Sequence, residues 1–422
     1  MENYYKKYLK YKGKYLQLKK QNGGMNDIVI NYIKGCLYGG AIGDTMGLFT
    51  EFMTKDQLEA RYSDNQLSKP FDYKKRHTDL RHRSQWEIGD WTDDTDQTIC
   101  ILDTIVEIMT DDVPKKENAL ALNIAKWIEF GFKECGDKFG GIGVGTATKE
   151  WCVNTFKKRV GALNPYYESV KLYITNEKFP CNLQPNGAVM RTCIVGTWHY
   201  SNLSKVLDDA IWMCKITHAS PKCVASCMFI SGLVSYLVKR DKYILSREEK
   251  ITIIEEIIKN MNVKLEKYNE EFEKEIQKIT KENPTLDLTN CKKYTVEEII
   301  EELRSYIYIS SIDDLKLGKD IGYTFKPVAC ATYCFLNINI STTTEDVTED
   351  ASDNDFESLI IKIIKEGGDA DTNCAVVGGV LGAYCGFDYI KANHNYLLDF
   401  KYKTFLDDKV SKYIEAVFLD DY

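Results

Sequence analysis

The chain is poor in the residues that interrupt or stitch small folds. Only eight of its 422 residues are proline, so little in it stops a helix. Its five histidines stand singly, and none of the 14 cysteines forms a CxxC pair. Zinc-type ligand spacing is therefore missing. Cys223/Cys227 and Cys330/Cys334 fall in apolar helical runs, where a thiol packs as a small hydrophobe. No uninterrupted apolar run reaches 18 residues, and no secretory pattern opens the chain. The expectation is a soluble intracellular protein in a reducing compartment, with no membrane partner. A basic excess is also lacking: the formal net charge is −8. That excludes a general nucleic-acid binder, and a sequence-specific one is not expected either. No internal repeat and no series of alternating strands is visible. What remains is 44% hydrophobic and 28% charged, enough apolar content for a large core. The architecture reads as all-α, and a monomer is expected.

Residues 1–26 read as a basic Lys/Tyr-rich extension, with seven lysines against one glutamate by Gly24, solvated rather than packed. Residues 27–422 read as one helical domain. Ile33, Leu37 and Ala41 fall at helical spacing among Gly35, Gly39, Gly40 and Gly43. Small residues at every third or fourth position let another helix approach closely. Glu51 follows Asp44 by seven positions. The stretch from Leu67 to Asp90 carries Lys74, Lys75, Arg76, His77, Arg81, His82 and Arg83 and reads as a solvated surface loop. Phe139 to Thr148 is rich in glycine, but a helical pattern, not a strand, precedes it, so a dinucleotide fingerprint does not fit. A glycine loop approaching a phosphate or ribose, or a close-packed turn, does. Asn186-Gly187-Ala188-Val189-Met190-Arg191 offers a turn with free amides, a side-chain amide and one arginine, suited to an anion or a sugar. His218 opens an apolar helix, as a ligand contact or as a satisfied core histidine. A capping box at Ser246 starts one long helix, or two in line, with a narrow apolar seam. This elaboration spans about 246–315. An acidic loop is expected over Thr342–Asp355, and a closing amphipathic helix over Asp399–Leu419.

Two short runs break the helical pattern in the same way. Gly367-Gly368-Asp369-Ala370-Asp371-Thr372 lies between an apolar helical run and a Gly/Ala-rich one. Trp91-Thr92-Asp93-Asp94-Thr95-Asp96 precedes an amphipathic helix. Helix capping and the helix dipole account for one acid at each place. They do not account for three acids in four positions. Facing each other, Thr92, Asp93, Asp94, Asp369, Asp371 and Thr372 would offer hard oxygens to two divalent ions, with no nitrogen or sulfur. Oxygen-only ligation points to two Mg²⁺ (or Mn²⁺), and shared carboxylates of this kind serve hydrolases.

Those motifs, taken in order, resemble the ADP-ribosylglycohydrolase family. The family includes the dinitrogenase reductase-activating glycohydrolases, the ADP-ribosyl-arginine and ADP-ribosyl-serine hydrolases and the J1 crystallins. The matching residues are Gly43-Asp44-x-x-Gly47-x-x-x-Glu51, Thr92-Asp93-Asp94-Thr95, Gly141-x-Gly143-x-Gly145, Asn186-Gly187-Ala188-x-Met190-Arg191, Thr217-His218, and Gly367 to Thr372 with the small-residue helix behind it. Each is weak alone; their order and spacing make the resemblance specific from about residue 27 to 390. It implies a compact orthogonal multi-helix bundle with a central binuclear metal cleft. It implies hydrolysis of the C1″ bond between ADP-ribose and an acceptor, a protein side chain first, with an ADP-ribosylated protein or ADP-ribose derivative as substrate. On the matching positions the six oxygen donors are the metal ligands. Glu51 and Asp93 are the catalytic acids, and Gly143, Asn186, Gly187, Arg191 and His218 are the substrate contacts. The family's Gly-rich turn before Asn186 is here Leu183-Gln184-Pro185, and Ala370 stands where many members carry Ser or Thr. The alternatives are a non-catalytic, crystallin-like ADP-ribose binder and a metal-dependent nucleotide phosphoesterase. The N-terminal extension resembles a segment that recurs in proteins of giant double-stranded DNA viruses.

Overall fold

The computed structural model describes residues 23–77, 82–110, 116–157, 163–286, 288–289, 291–340 and 354–419. The helices in chain order are α1 (Gly23–Gly47), α2 (Lys55–Arg61), α3 (Asp93–Thr110), α4 (Lys116–Phe130), α5 (Thr146–Cys152), α6 (Pro165–Thr175), α7 (Leu203–Lys215) and α8 (Pro221–Lys239). They continue as α9 (Arg247–Glu282), α10 (Val296–Ile307), α11 (Phe325–Asn337), α12 (Phe356–Ile364), α13 (Ala370–Cys385), α14 (Phe387–Asn393) and α15 (Lys403–Leu419). Among the described residues no strand forms, and only two isolated bridges occur, Met53 with Gly368 and Pro185 with Tyr323. The all-α expectation holds. The first helix starts at Gly23, ahead of the Asp27 start read from the sequence. The basic extension up to residue 22 and residues 342–353 of the expected acidic loop lie outside the described residues.

The centre of the molecule is the antiparallel pair α1 and α13. A Cβ added at Gly35, Gly39, Gly43 or Gly47 would stand 2.1, 2.2, 1.9 or 2.2 Å from a backbone oxygen of α13, those of Gly382, Gly378, Cys374 and Ala370. The two backbones therefore touch, which only glycine permits. This is the close approach that the small-residue spacing predicts. It also explains why the site tolerates Ala370: that residue is wholly buried, and its carbonyl lies against Gly47.

Around this pair pack α8, α11, α12 and α3. By length and composition α8 could cross a membrane, but 94% of its apolar window is buried inside the protein. The expected long helix is one continuous element, α9, 36 residues from a Ser246 capping box to Asn283. Its apolar seam of Ile254, Ile258, Met261, Leu265, Tyr268 and Phe272 is buried on the chain's own core, against α6, α7, α8 and α10. A disulfide joins Cys181 to Cys291, tying the segment after α9 to the turn that leads into Asn186. The other described cysteines are free and buried.

The stretch from Leu67 to Asp90 departs from the solvated loop expected of it. Arg76 and Arg83 are buried. Arg76 donates to the carbonyls of Trp86 (2.8 Å) and Glu87. Arg83 donates to the carbonyl of Glu51. An irregular segment has no ladder to satisfy its carbonyls, and the guanidinium forks supply the missing donors. A count of charges along the sequence cannot distinguish that role from a solvated face.

Candidate active site

Three chain segments meet at the end of the α1–α13 pair. The first is the turn after α1, which carries Glu51. It is locked to the Gly367–Gly368 turn by Phe52 N to Gly368 O (2.6 Å) and Gly368 N to Met53 O (2.9 Å). Both glycines have positive φ, 68° and 71°. A Cβ would lie 2.2 Å from Met53 O at Gly367 and 2.3 Å from Leu317 O at Gly368. The glycines thus aim the following residues, Asp369 and Asp371, back across α1. Among the described residues Glu51, Asp369 and Asp371 each bring one carboxylate oxygen to within 4.8 Å of the others.

The second segment is the start of α3. Its N-terminus is capped from another helix: the Asp44 carboxylate of α1 accepts from Thr92 N (3.0 Å), Thr92 Oγ1 (2.9 Å), Thr95 N (3.0 Å) and Thr95 Oγ1 (2.6 Å). Burial pushes the Asp44 carboxyl up to about 6, against the pull of those four bonds. Asp44 thereby fixes the first turn of α3, which presents Asp93 and Asp94. The Thr92 hydroxyl also lies 3.1 Å from Asp94 Oδ2.

The two acidic runs, about 275 positions apart, come together here. Burial raises the carboxyl of Asp94 well above the usual range, and the charges of Asp44, Asp93 and Asp369 raise it further. Asp371 is raised by burial, then by Glu51, Asp369, Asp94 and Asp44. Asp93 and Asp369 shift the same way, again chiefly through burial. Asp94 Oδ1 and Asp371 Oδ1 are buried without a hydrogen-bond partner. Unpaired buried carboxylate oxygens are costly, and divalent cations are what such oxygen donors fit. The neighbouring Thr372 hydroxyl acts the other way and favours the Asp94 carboxylate.

The third segment forms the opposite wall. Asn186 donates from Nδ2 to Asp369 Oδ2 (2.8 Å). Its backbone amide is not free, as the sequence suggested, but bonds Gly322 O at 2.8 Å. The departing turn Gln184-Pro185 is likewise pinned, through Thr324 N to Gln184 O and the bridge from Pro185 to Tyr323. Gly187 lies against His218: a Cβ there would be 2.9 Å from Nε2. Gly143, at φ 89°, lies over Asp93, with a Cβ 2.7 Å from Oδ1. Gly140 and Gly141 serve packing, against Ile128 O and the Trp127 ring of α4. The glycine loop follows a helix, not a strand, so it is no dinucleotide fingerprint.

Arg191, expected at the substrate, has no access to one. It is fully buried, with Nη1 on Gln97 Oε1 and Nη2 on Thr217 Oγ1 (2.6 Å). Two neighbours of the site went unread in the sequence. Gln97 donates to Asp93 Oδ2 at 2.9 Å; its place one helical turn after Asp93 is a signal that could have found it. His82 Nε2 lies 2.9 Å from Glu51 Oε2, between the rings of Phe52 and Trp86. Nothing in the basic loop's composition singles His82 out.

The chain is similar to known proteins along most of its length. A family model described as ADP-ribosylglycohydrolase matches residues 25–414. The chain is similar to the ADP-ribosylarginine hydrolase Tri1 of Serratia proteamaculans (strain 568), 24% identical over 205 residues, 49% of this chain and 47% of that protein. It is similar to the protein of the same name from Pseudomonas putida (strain GB-1), 23% identical over 199 residues, 47% of this chain and 44% of that one. The match thus spans about half the length of these curated relatives. A solved structure titled ADP-ribosylglycohydrolase-related protein complex superposes with TM-score 0.55 over 93% of this chain and 99% of that one. At 16% identity that likeness speaks for the fold alone.

Proposed function

The chain belongs to the ADP-ribosylglycohydrolase family, and on that premise we propose that it is a divalent-metal-dependent ADP-ribosyl hydrolase. The substrate is an ADP-ribosylated protein side chain, and the bond cut is the one from C1″ of the distal ribose to the acceptor. The observation that carries this reading is the buried carboxylate nest with two oxygens, Asp94 Oδ1 and Asp371 Oδ1, left without a partner. Thr92, Asp93, Asp94, Asp369, Asp371 and Thr372 would hold two Mg²⁺ or Mn²⁺ ions, with Glu51 at their edge. Such ions, when bound, orient sugar hydroxyls and supply a more acidic water.

The protein's own groups do the rest. Asp93, with one oxygen held by Gln97, keeps Oδ1 for a ribose hydroxyl. Glu51 takes a proton from the attacking water as the bond from C1″ to the acceptor breaks, and the same carboxyl returns that proton to the departing acceptor; His82 fixes its Oε2 and leaves Oε1 for the proton. Positive charge that grows on the sugar ring is stabilised by the surrounding carboxylates. Gly143 and Gly187, lacking a Cβ, let the main chain lie directly against Asp93 and His218. The relatives named as ADP-ribosylarginine hydrolases make the arginine N-glycosidic bond the first linkage to test.

The test is incubation with arginine-, serine- and ester-linked ADP-ribose substrates, with Mg²⁺ and with EDTA. Mg²⁺-dependent release of intact ADP-ribose is expected, and EDTA abolishes it. ADP-ribose binding by calorimetry without release from any substrate would favour the crystallin-like binder. Release of inorganic phosphate would favour the phosphoesterase.

A further inference from the structure

A buried chain of side chains runs from Asp93, beside Gly143, to His218, beside Gly187. Its members are Asp93, Gln97, Arg191, Thr217 and His218. Gln97 and Arg191 are wholly inaccessible, and Thr217 and His218 are buried. The contacts are Gln97 Nε2 to Asp93 Oδ2 (2.9 Å), Arg191 Nη1 to Gln97 Oε1, Arg191 Nη2 to Thr217 Oγ1 (2.6 Å), and Thr217 Oγ1 with His218 Nδ1 (2.8 Å).

One member fixes the first arm outright and constrains the second. A guanidinium has five N–H donors and no acceptor. Gln97 must therefore turn its oxygen toward Arg191 and its NH₂ toward Asp93. Asp93 Oδ2 is then an acceptor, and Oδ1, beneath Gly143, is the oxygen left for a ligand. On the other arm the Thr217 hydroxyl accepts from Arg191, and among the described residues its one other partner is His218 Nδ1, so its single hydrogen has that nitrogen as its acceptor. A nitrogen that accepts carries no proton, so the ring proton sits on Nε2. Nε2 is the atom that faces Gly187.

We infer that Arg191 is a positioning residue that sets the hydrogen-bond polarity at both ends of this chain, fixing Asp93 Oδ2 as an acceptor and His218 as an Nε2–H donor. Burial and the nearby Arg191 charge also hold His218 down at about 3, so the ring stays neutral. His218 is then neither a general base nor a cation for phosphate. A ligand meets Oδ1 as the open oxygen of Asp93, and it must offer an acceptor oxygen to His218. On the functional reading above, the hydroxyl and oxygen groups of an ADP-ribosyl moiety supply both contacts.

The tautomer can be read directly. In ¹⁵N-labelled full-length protein at pH 7, long-range ¹H–¹⁵N correlations distinguish an unprotonated ring nitrogen from a protonated one, with His218 assigned by loss of its signals in His218→Gln. The expected spectrum shows unprotonated Nδ1 and protonated Nε2, unchanged between pH 5 and 8. Thr217→Val, close in shape but without the hydroxyl, is expected to give a mixture of tautomers and to weaken calorimetric ADP-ribose binding about 5-fold. Protonated Nδ1 in the unmodified protein, or a doubly protonated ring at pH 7, overturns the inference even if the valine variant does not fold. So does a valine variant with unchanged tautomer and unchanged affinity. If the spectra are as expected but ADP-ribose does not bind the unmodified protein, the relay stands and the functional reading fails.

Discussion

Gly35, Gly39, Gly43 and Gly47 on α1 recur every four residues, and Ile254, Ile258, Met261 and Leu265 on α9 recur at nearly the same spacing. The two seams are built in opposite ways. On α1 the side chains are missing, and backbone meets backbone across α13, with carbonyl oxygens where a Cβ would stand. On α9 large side chains fill the space against α6, α7, α8 and α10. An interface of side chains can repack when one member changes; an interface of main chain cannot. The rigid seam is the one that ends at the site: Asp44 lies on α1, Asp371 on α13, and Glu51 just beyond. A nest of mutually repelling carboxylates needs walls that do not yield. The comparison therefore teaches which helix contacts position the chemistry and which supply stability.

Breaking the rigid seam has the largest expected effect. Gly39→Val leaves no folded protein by circular dichroism, because its Cβ would sit 2.2 Å from Gly378 O and no rotamer relieves a clash with main chain. Ile258→Ala, in the adaptable seam, costs about 2–5 kcal/mol within a usual total of roughly 5–15 kcal/mol. It folds and keeps its activity at room temperature. A Gly39→Val protein with a normal melting midpoint would sink the distinction between the seams.

Asp371→Asn comes next, and it separates stability from function. A buried charge beside Glu51, Asp369 and Asp94 is removed, so the metal-free protein melts higher than the unmodified one. Activity falls by at least about a hundredfold, the upper end of what even outer-shell metal partners cost. Added Mg²⁺ raises the melting midpoint of the unmodified protein by mass action and raises that of Asp371→Asn far less. A variant that melts lower without metal, or that keeps its Mg²⁺-dependent shift, contradicts the assignment.

His82→Ala tests the wall that is neither seam. His82 reaches the site from the Leu67–Asp90 segment and touches Glu51 at 2.9 Å. The expected loss is about tenfold in kcat/KM, the low end for outer-shell partners, with the melting midpoint nearly unchanged. Partial recovery in His82→Gln would mark hydrogen bonding as the reason. Equal activity in all three proteins would remove His82 from the site.

The difference between the seams also explains what could be read from the sequence. Four glycines at helical spacing announce close approach, and Gly367-Gly368 announces a turn, because both depend on local main-chain geometry. The long α9 is legible from its capping box and seven-residue apolar repeat. The two acidic runs are legible because three acids in four positions at 93–96, and a second pair at Asp369 and Asp371, exceed any capping need. What stayed hidden depends on partners distant in the chain. Arg191 looks like an anion contact in its motif and becomes a buried strut only when Gln97 and Thr217 arrive. Arg76 and Arg83 look solvated until the carbonyls they satisfy are folded around them. The Asn186 amide looks free until Gly322 O closes on it. Cys181 and Cys291, 110 residues apart, carry no local sign of pairing.

The smallest expected effect probes how much misfit the adaptable seam carries. Lys250, in the first turn of α9, is buried, with Nζ 3.2 Å from Ile338 O and beside the rings of Phe335 and Tyr384. Burial lowers its ammonium from 10.5 to about 8. The unfolded chain keeps the ordinary value, so between these limits the unfolded state binds more protons. The contribution of this group to stability therefore rises as pH climbs from 8 to 10.5. Below 8 both states are charged, and the buried charge is a fixed cost. Lys250→Met removes it. Urea unfolding at pH 7 is expected to show the methionine variant as the more stable protein, with its advantage shrinking steadily toward pH 10. An advantage that stays constant with pH would mean that the methionine gains through packing alone, and that α9 buries this ammonium without penalty.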